Sequence, residues 1–470
     1  MINAPDNQEG SSNARQRMAR RGTARGEWIG GRGRTARLGV TGCLALLLIG
    51  CNAVGRTDSH GWVVTGIAPV QWPADTVAPV AIPLSPAWDV PDVLAARITF
   101  DDRPARKAVV QCERMHGTGD RHAWVMMHVE PEERGQHVTI ELLPDLEQVV
   151  QPIYALNYDG RSLHVRDDLG RPALTYVHGT PLADAPYPFT SYFHPIFGLD
   201  GEILTDVYPA DHRHHRGLFC AWVRHEHEGT SLGSWWQPRS GGVRSVPEEL
   251  TFHSGPVFAR FHSRHWLVHR AADSGDEARF LQDDVICRLY PATENGRAID
   301  LEIALLASMP GIRLGGTTDE GKGYGGLTFR FAPADDVEIR TDGTLLDDDG
   351  INHRAHWADW SGTFKTPEGQ AGVKPSGAAI LVHPGHPDYP TEWLLRHYGI
   401  LNVSFPGVAM LDISTDDPLI LRYRLWVHRG DARAGRVEAQ GFAYSADWQW
   451  RVAPTEGAGN GASRSTSDRS

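Results

Sequence analysis

A chain of 470 residues with 58 Asp and Glu against 46 Lys and Arg carries a formal charge of −12, so it lacks the basic footprint of a nucleic-acid binder. Hydrophobic residues at 41% and charged residues at 22% exclude a disordered chain, and the length exceeds what one ordinary core fills. The 50 Gly, 31 Pro, 15 Trp and 23 His point to turns, strands and a pocket of rings and imidazoles.

Residues 1–50 read as a signal peptide, with eight arginines from Arg15 to Arg37 ahead of an apolar run from Leu38 to Ile49. That run falls short of the ~20 residues a spanning helix needs. It ends in Leu48-Ile49-Gly50-Cys51, where a small residue before cysteine resembles a bacterial lipobox. Cys51 is therefore expected to be lipidated and to tether an exported, membrane-anchored protein facing the periplasm or cell surface. The long arginine-rich stretch also admits a start at Met18. Removing residues 1–50 takes eight basic and three acidic residues, moving the formal charge from −12 to −17. Of five cysteines, Cys112, Cys220 and Cys287 remain, an odd and sparse set that reads as buried thiols and not as a disulfide framework.

Residues 51–91 are rich in Pro and Ala and suit an extended tether or edge strands. From 92 to 150 short alternating runs appear, such as Val138, Ile140 and Leu142 apolar against Thr139 and Glu141, which predicts a small β-sandwich. Residues 151–452 form a larger unit. Its clearest strands run through Ile299, Leu301, Ile303 and Leu305 and through Leu419, Leu421, Tyr423, Leu425 and Val427. Further strands are expected at 257–269, 285–290 and 327–331, separated by Gly, Pro and Asp turns. No segment keeps a 3.6-residue period. The fold class is therefore all-β, with a small sandwich followed by a large antiparallel arrangement of stacked sheets. Residues 453–470 read as a disordered tail.

The densest chemical signal is Asp211-His212-Arg213-His214-His215-Arg216-Gly217. If it enters a strand, His212, His214 and Arg216 share one face, and Asp211, Arg213 and His215 the other. His214 or His215 could then shuttle a proton while Asp211 fixes a tautomer and Arg216 holds an oxyanion or carboxylate. Alternatively, His212 and His214 are ligands of a divalent or transition metal completed elsewhere, with His386 the candidate third ligand. A solvated, merely His-rich loop is the bland alternative. Three other segments bear on the site. Ser191–Pro195 supplies His194 beside aromatics; Gly321–Leu327 is a glycine-rich turn presenting Tyr324 and leading to Arg330; and His383–Trp393 adds His383, His386 and Glu392 in a Pro-locked loop. Trp235, Trp236, Trp357 and Trp360 stand in polar contexts where a ring could stack on a sugar, with Trp236 the candidate for substrate binding. Asp211, Arg330, Trp236, His383 and Glu392 are the candidate substrate-binding residues.

At these residues the chain resembles the family labelled methane oxygenase PmoA: Tyr192–Val223 around Asp211–Gly217, Gly323–Leu327, His383–Trp393 and Leu419–Gly430, within a stretch of about 152–445. Arg213 stands where that pattern has proline, and Phe219-Cys220 replaces a more aromatic pair. The membrane oxygenase subunit of that name is a bundle of spanning helices. No segment after Cys51 could span in that way, so the label reads as a misassignment. The strand pattern is also similar to the galactose-mutarotase-like β-supersandwich, which implies carbohydrate as substrate. The expected activity is lyase, epimerase or hydrolase chemistry by His214 or His215, assisted by His194 and Tyr324. A non-catalytic glycan-binding lipoprotein and a His-ligated metal oxygenase are the alternatives.

Overall fold

The period-two segments are strands, because each places apolar side chains on one side of a pleat and must cover them. In the computed structural model, His137–Leu143, Ala259–Arg270, Glu277–Leu289, Gly296–Ala307, Gly326–Arg330 and Leu419–Arg429 all take this form. The structure describes residues 61–144, 150–179, 187–237, 242–270, 275–365 and 374–452. The leader, Cys51 and the tail 453–470 lie outside them.

A seven-stranded antiparallel sheet comes first, in the spatial order Val77–Pro83, Arg121–His128, Arg106–Arg114, Val93–Phe100, His137–Leu143, Trp62–Ile67 and Arg451–Val452. Its own core gathers Val80, Ile98, Val125, Ile140 and Trp72. The Pro-rich stretch expected as a tether is thus built into the sheet from residue 62 onwards. Pro79 and Pro83 are tolerated because Val77–Pro83 is an edge strand, where a missing N–H breaks no interior ladder. The last strand of this sheet comes from the far end of the chain.

Two nine-stranded sheets form the larger part. The first runs from Tyr154–Tyr158 at one edge to Gly350–Ala355 at the other, and the second from Val243–Ser254 to Thr344–Leu346. They share one core, with Phe193, Leu218, Phe329 and Trp393 from the first against Phe261, Leu301, Tyr423 and Leu425 from the second. A separate four-stranded sheet contains Arg224–His227 and Ile312–Gly315. The architecture is a β-sandwich of large antiparallel sheets.

The second nine-stranded sheet is covered on both faces. Trp124 of the N-terminal sheet packs with Phe258, Tyr290 and Trp426, and Gln111 accepts the backbone N–H groups of Val257 and Phe258 at 3.1 Å each. Gly296–Ala307 is consequently buried almost throughout, polar positions included. Asp300 and Glu302 tolerate this because Arg424 donates to Asp300 at 2.5 and 2.8 Å and Arg422 to Glu302 at 2.7 Å. Among the described residues the only α-helix is Val437–Ser445, and no helix is long and apolar enough to cross a membrane.

Candidate functional site

The Asp211–Gly217 segment is a turn and not the start of a strand. His212 N–H donates to Pro209 O at 3.2 Å and His215 N–H to His212 O at 2.8 Å. Three residues apart in a turn, His212 and His215 lie one above the other, with ring centroids 4.7 Å apart and planes within 2°. Tyr398 also stacks on His212, at 5.2 Å and 5°. The alternation that would have grouped His212 with His214 and Arg216 is replaced by this stack. His214 lies edge-on to both imidazoles, at 5.8 Å from His212 and 4.6 Å from His215. The turn ends at Gly217, whose φ of +60° puts its backbone against the Phe193 carbonyl. That contact seats it on the Tyr192–Ile196 strand, beside His194.

Arg216 does not reach the surface, which corrects its expected role as an oxyanion holder. It is fully buried, and its guanidinium lies 3.9 Å from the centroid of Phe189, 4.3 Å from Phe219 and 4.8 Å from Trp235. It donates to the carbonyls of His214, Trp235 and Trp236 at 3.4 to 3.5 Å. Burial lowers its pKa to about 9, so it remains a cation at neutral pH. It stabilises the turn from beneath through cation–π and carbonyl contacts.

The guanidinium that meets the turn is Arg330. Its Nη2 bonds both oxygens of Asp211, at 2.9 and 3.0 Å, and it sits 5.1 Å from the Tyr398 ring. Asp211 also accepts from His212 Nδ1 at 2.9 Å. Burial raises the Asp211 pKa, but the His212 hydrogen bond and the Arg330 charge outweigh it and hold the carboxyl below its ordinary range. Arg330 Nε and Nη1 and His215 Nδ1 are buried without a partner. Orphaned buried donors cost stability and recur where function retains them.

Burial keeps His194, His214 and His215 neutral. It lowers His214 to about 4, with the neighbouring imidazole of His212 adding to the effect, and it lowers His194 to about 4. His215, 3% exposed, is pushed further in the same direction, again chiefly by burial. His194 Nδ1 is bonded to Thr205 Oγ1 at 3.0 Å. His214 is only half-buried, and among the described residues nothing hydrogen-bonds its ring. It is therefore a half-exposed, unprotonated base, with the His215 ring packed edge-on against it.

The other expected members divide. Trp236 lies 6.0 Å from His215 on one side and 5.1 Å from Tyr324 on the other. Trp236 and Tyr324 line a cavity of about 530 Å³ with Arg224, His269 and Asp319. Tyr324 is thus one ring removed from the histidines. His383 belongs elsewhere, packed on Tyr444 at 5.5 Å beside the N-terminal sheet. His386 is 4% exposed in the core, bonded to the Tyr423 hydroxyl at 3.1 Å. Glu392 lies on Thr391–Arg396, with no contact to the turn among the described residues. The proposed metal set of His212, His214 and His386 is therefore not assembled. Among the described residues no group of three or more His, Cys, Asp or Glu is placed to hold a metal ion. Sequence reasoning missed Tyr398, whose only mark is the Gly399 turn after it.

The model of a family of unknown function, DUF6807, matches residues 164–441, more than half of the chain. The chain belongs to that family. The DUF6807 region contains the Asp211–Gly217 turn, Arg330 and Tyr398 and leaves out all seven strands of the N-terminal sheet. Comparison with curated proteins finds no match.

Proposed function

We propose that this DUF6807 protein acts on carbohydrate by imidazole proton transfer, abstracting a proton from a ring carbon next to a carboxylate in the manner of a lyase or epimerase. The observation that carries this reading is His214, half-buried, neutral at physiological pH and beside the Asp211–Arg330 pair. A base that is already unprotonated accepts the proton. Arg330 is itself buried and paired with Asp211, so it holds the turn that presents His214 and acts on the developing charge through that pair and not by direct contact. Glycoside hydrolysis instead needs an acid to protonate the leaving oxygen, which an imidazole with a pKa of about 4 does not supply at neutral pH. Tyr398, 44% exposed, offers a flat ring on which a sugar can stack. Similarity to the β-supersandwich pattern adds support from fold analogy.

In the lyase case the C–H electron pair becomes a ring double bond, the glycosidic C–O bond breaks, and the leaving oxygen takes the proton that His214 has just accepted. In the epimerase case His214 holds the proton it took, water delivers a solvent proton to the opposite face, and the hydroxide left behind deprotonates the His214 imidazolium. Both are read by incubating the protein with uronate-containing polysaccharides in deuterated water and following unsaturated product and deuterium uptake. His214→Ala should lower turnover about 100-fold or more with an unchanged circular dichroism spectrum. Retained turnover in that variant defeats the assignment, and saturable binding with neither product nor exchange would identify a glycan-binding protein.

The arginine-rich leader and Gly50-Cys51 support an exported lipoprotein. Cells fed labelled fatty acid should incorporate it into the wild type and not into Cys51→Ser.

A further inference from the structure

A second site lies where the N-terminal sheet covers the outer face of the second nine-stranded sheet. The cavity there has a volume of about 470 Å³, within the range of small-molecule sites. Its charges are paired within the protein. Asp300 is bound by Arg424, Glu302 by Arg422, and Arg288 by Glu113. Asp120 and Asp447 add negative charge at its exposed rim.

The hydrogen-bonding groups are not all paired. His122 Nδ1, Trp124 Nε1, Glu302 Oε1, Arg424 Nη1 and Trp448 Nε1 are buried without partners, and all five residues line this cavity. The indoles and the guanidinium are donors, Glu302 Oε1 is an acceptor, and a neutral imidazole nitrogen takes either role. Burial lowers the His122 pKa, which keeps that imidazole neutral. Trp448 stacks on Trp450 with centroids 4.9 Å apart and planes within 3°, forming an aromatic wall. A ligand suited to these walls is uncharged, because each charge lining the cavity inside its rim has a partner, Arg288 sharing Glu113 with Arg260, and the rim is acidic. It carries several groups that both donate and accept, and it has an apolar face for the indoles.

We infer that this cavity binds one neutral, pyranose-sized sugar unit through its five unpaired polar atoms and the Trp448 wall. The inference stands on the cavity between the two sheets and does not depend on the His214 chemistry. A chain could thereby hold an uncharged part of a glycan at a distance from the reacting sugar.

The test uses the exported chain from residue 52 onwards, titrated with glucose, galactose, mannose, xylose and fucose. Binding is followed by tryptophan fluorescence and calorimetry, with galacturonate as the charged comparison. At least one neutral sugar should bind saturably and more tightly than galacturonate. Trp124→Phe and Trp448→Phe each keep an aromatic ring while removing the indole N–H, so each should weaken binding about threefold, and the pair about tenfold. His214→Ala should leave that affinity unchanged while removing turnover, which separates the two sites. No saturable binding by any of the five sugars, preference for galacturonate, or full affinity in a folded Trp124→Phe/Trp448→Phe double variant would each overturn the assignment. Fold is checked in every variant by its melting temperature.

Discussion

Gly217 combines a φ of +60° with a backbone so close to Phe193 that a Cβ would strike the carbonyl oxygen. Gly217→Ala should therefore cost about 3 kcal/mol, the sum of left-handed strain and overpacking, read as a lower urea midpoint with an unchanged slope. His214 sets a second expectation at this scale. Because its pKa is lowered to about 4, the base form is present above that value and is lost as pH falls through it. The acid limb of kcat/KM should lie near pH 4, and a limb near the ordinary histidine value would exclude His214 as the base. The cluster itself was legible because ionisable residues from Asp211 to Arg216 are too costly to bury without partners. The roles within it were not. Spacing cannot distinguish a strand from a turn, and the turn is what stacks His212 on His215 and sends Arg216 inward. The guanidinium that meets Asp211 is that of Arg330, brought there by the strand Gly326–Arg330.

At the level of strands, alternation located Gly296–Ala307 and Leu419–Arg429 and identified their core-facing residues. It did not reveal that the opposite face is covered too. Asp300, Glu302, Arg422 and Arg424 look like solvent-facing residues in sequence, yet cross-strand register pairs Asp300 with Arg424 and Glu302 with Arg422 beneath a second sheet. Asp300→Ala should destabilise by about 3 to 5 kcal/mol, since it strands a buried guanidinium. Asp300→Leu with Arg424→Met should recover most of that loss in thermal melts. Equal destabilisation by the single and double variants would show that packing, not the uncompensated charge, sets the cost. The helix Val437–Ser445 was illegible for another reason. Its buried residues are Val437, Gln440 and Ala443, one of them polar, so no apolar stripe marks it.

Across the whole molecule, burial of imidazoles makes stability depend on pH. His178, His194, His214, His225 and His386 are lowered to about 4 and His265 to about 3, all by burial. Between those values and the ordinary 6.5 the unfolded chain binds more protons, so this stability is full above about pH 6.5 and is lost as pH falls towards 4. Asp283 acts in the opposite sense. Burial, with Asp284 adding to it, raises its pKa to about 7, and its contribution is lost as pH rises through that value. With these imidazoles and His215 on one side and Asp283 and Asp206 on the other, the melting temperature should fall from pH 6.5 to 4. Asp283→Asn should gain most relative to wild type at pH 8, and a flat profile would show that these imidazoles are already accommodated as cations. The all-β class and the stacked sheets were readable from alternation and turns. The N-terminal sheet as a cover over the larger sandwich was not, because local sequence carries no signal for which polar face a distant sheet will shield. One consequence follows from the pairing of Trp62–Ile67 with Arg451–Val452. The sheet synthesised first receives its closing strand from residues made nearly four hundred positions later, so that edge stays open until those residues have been made.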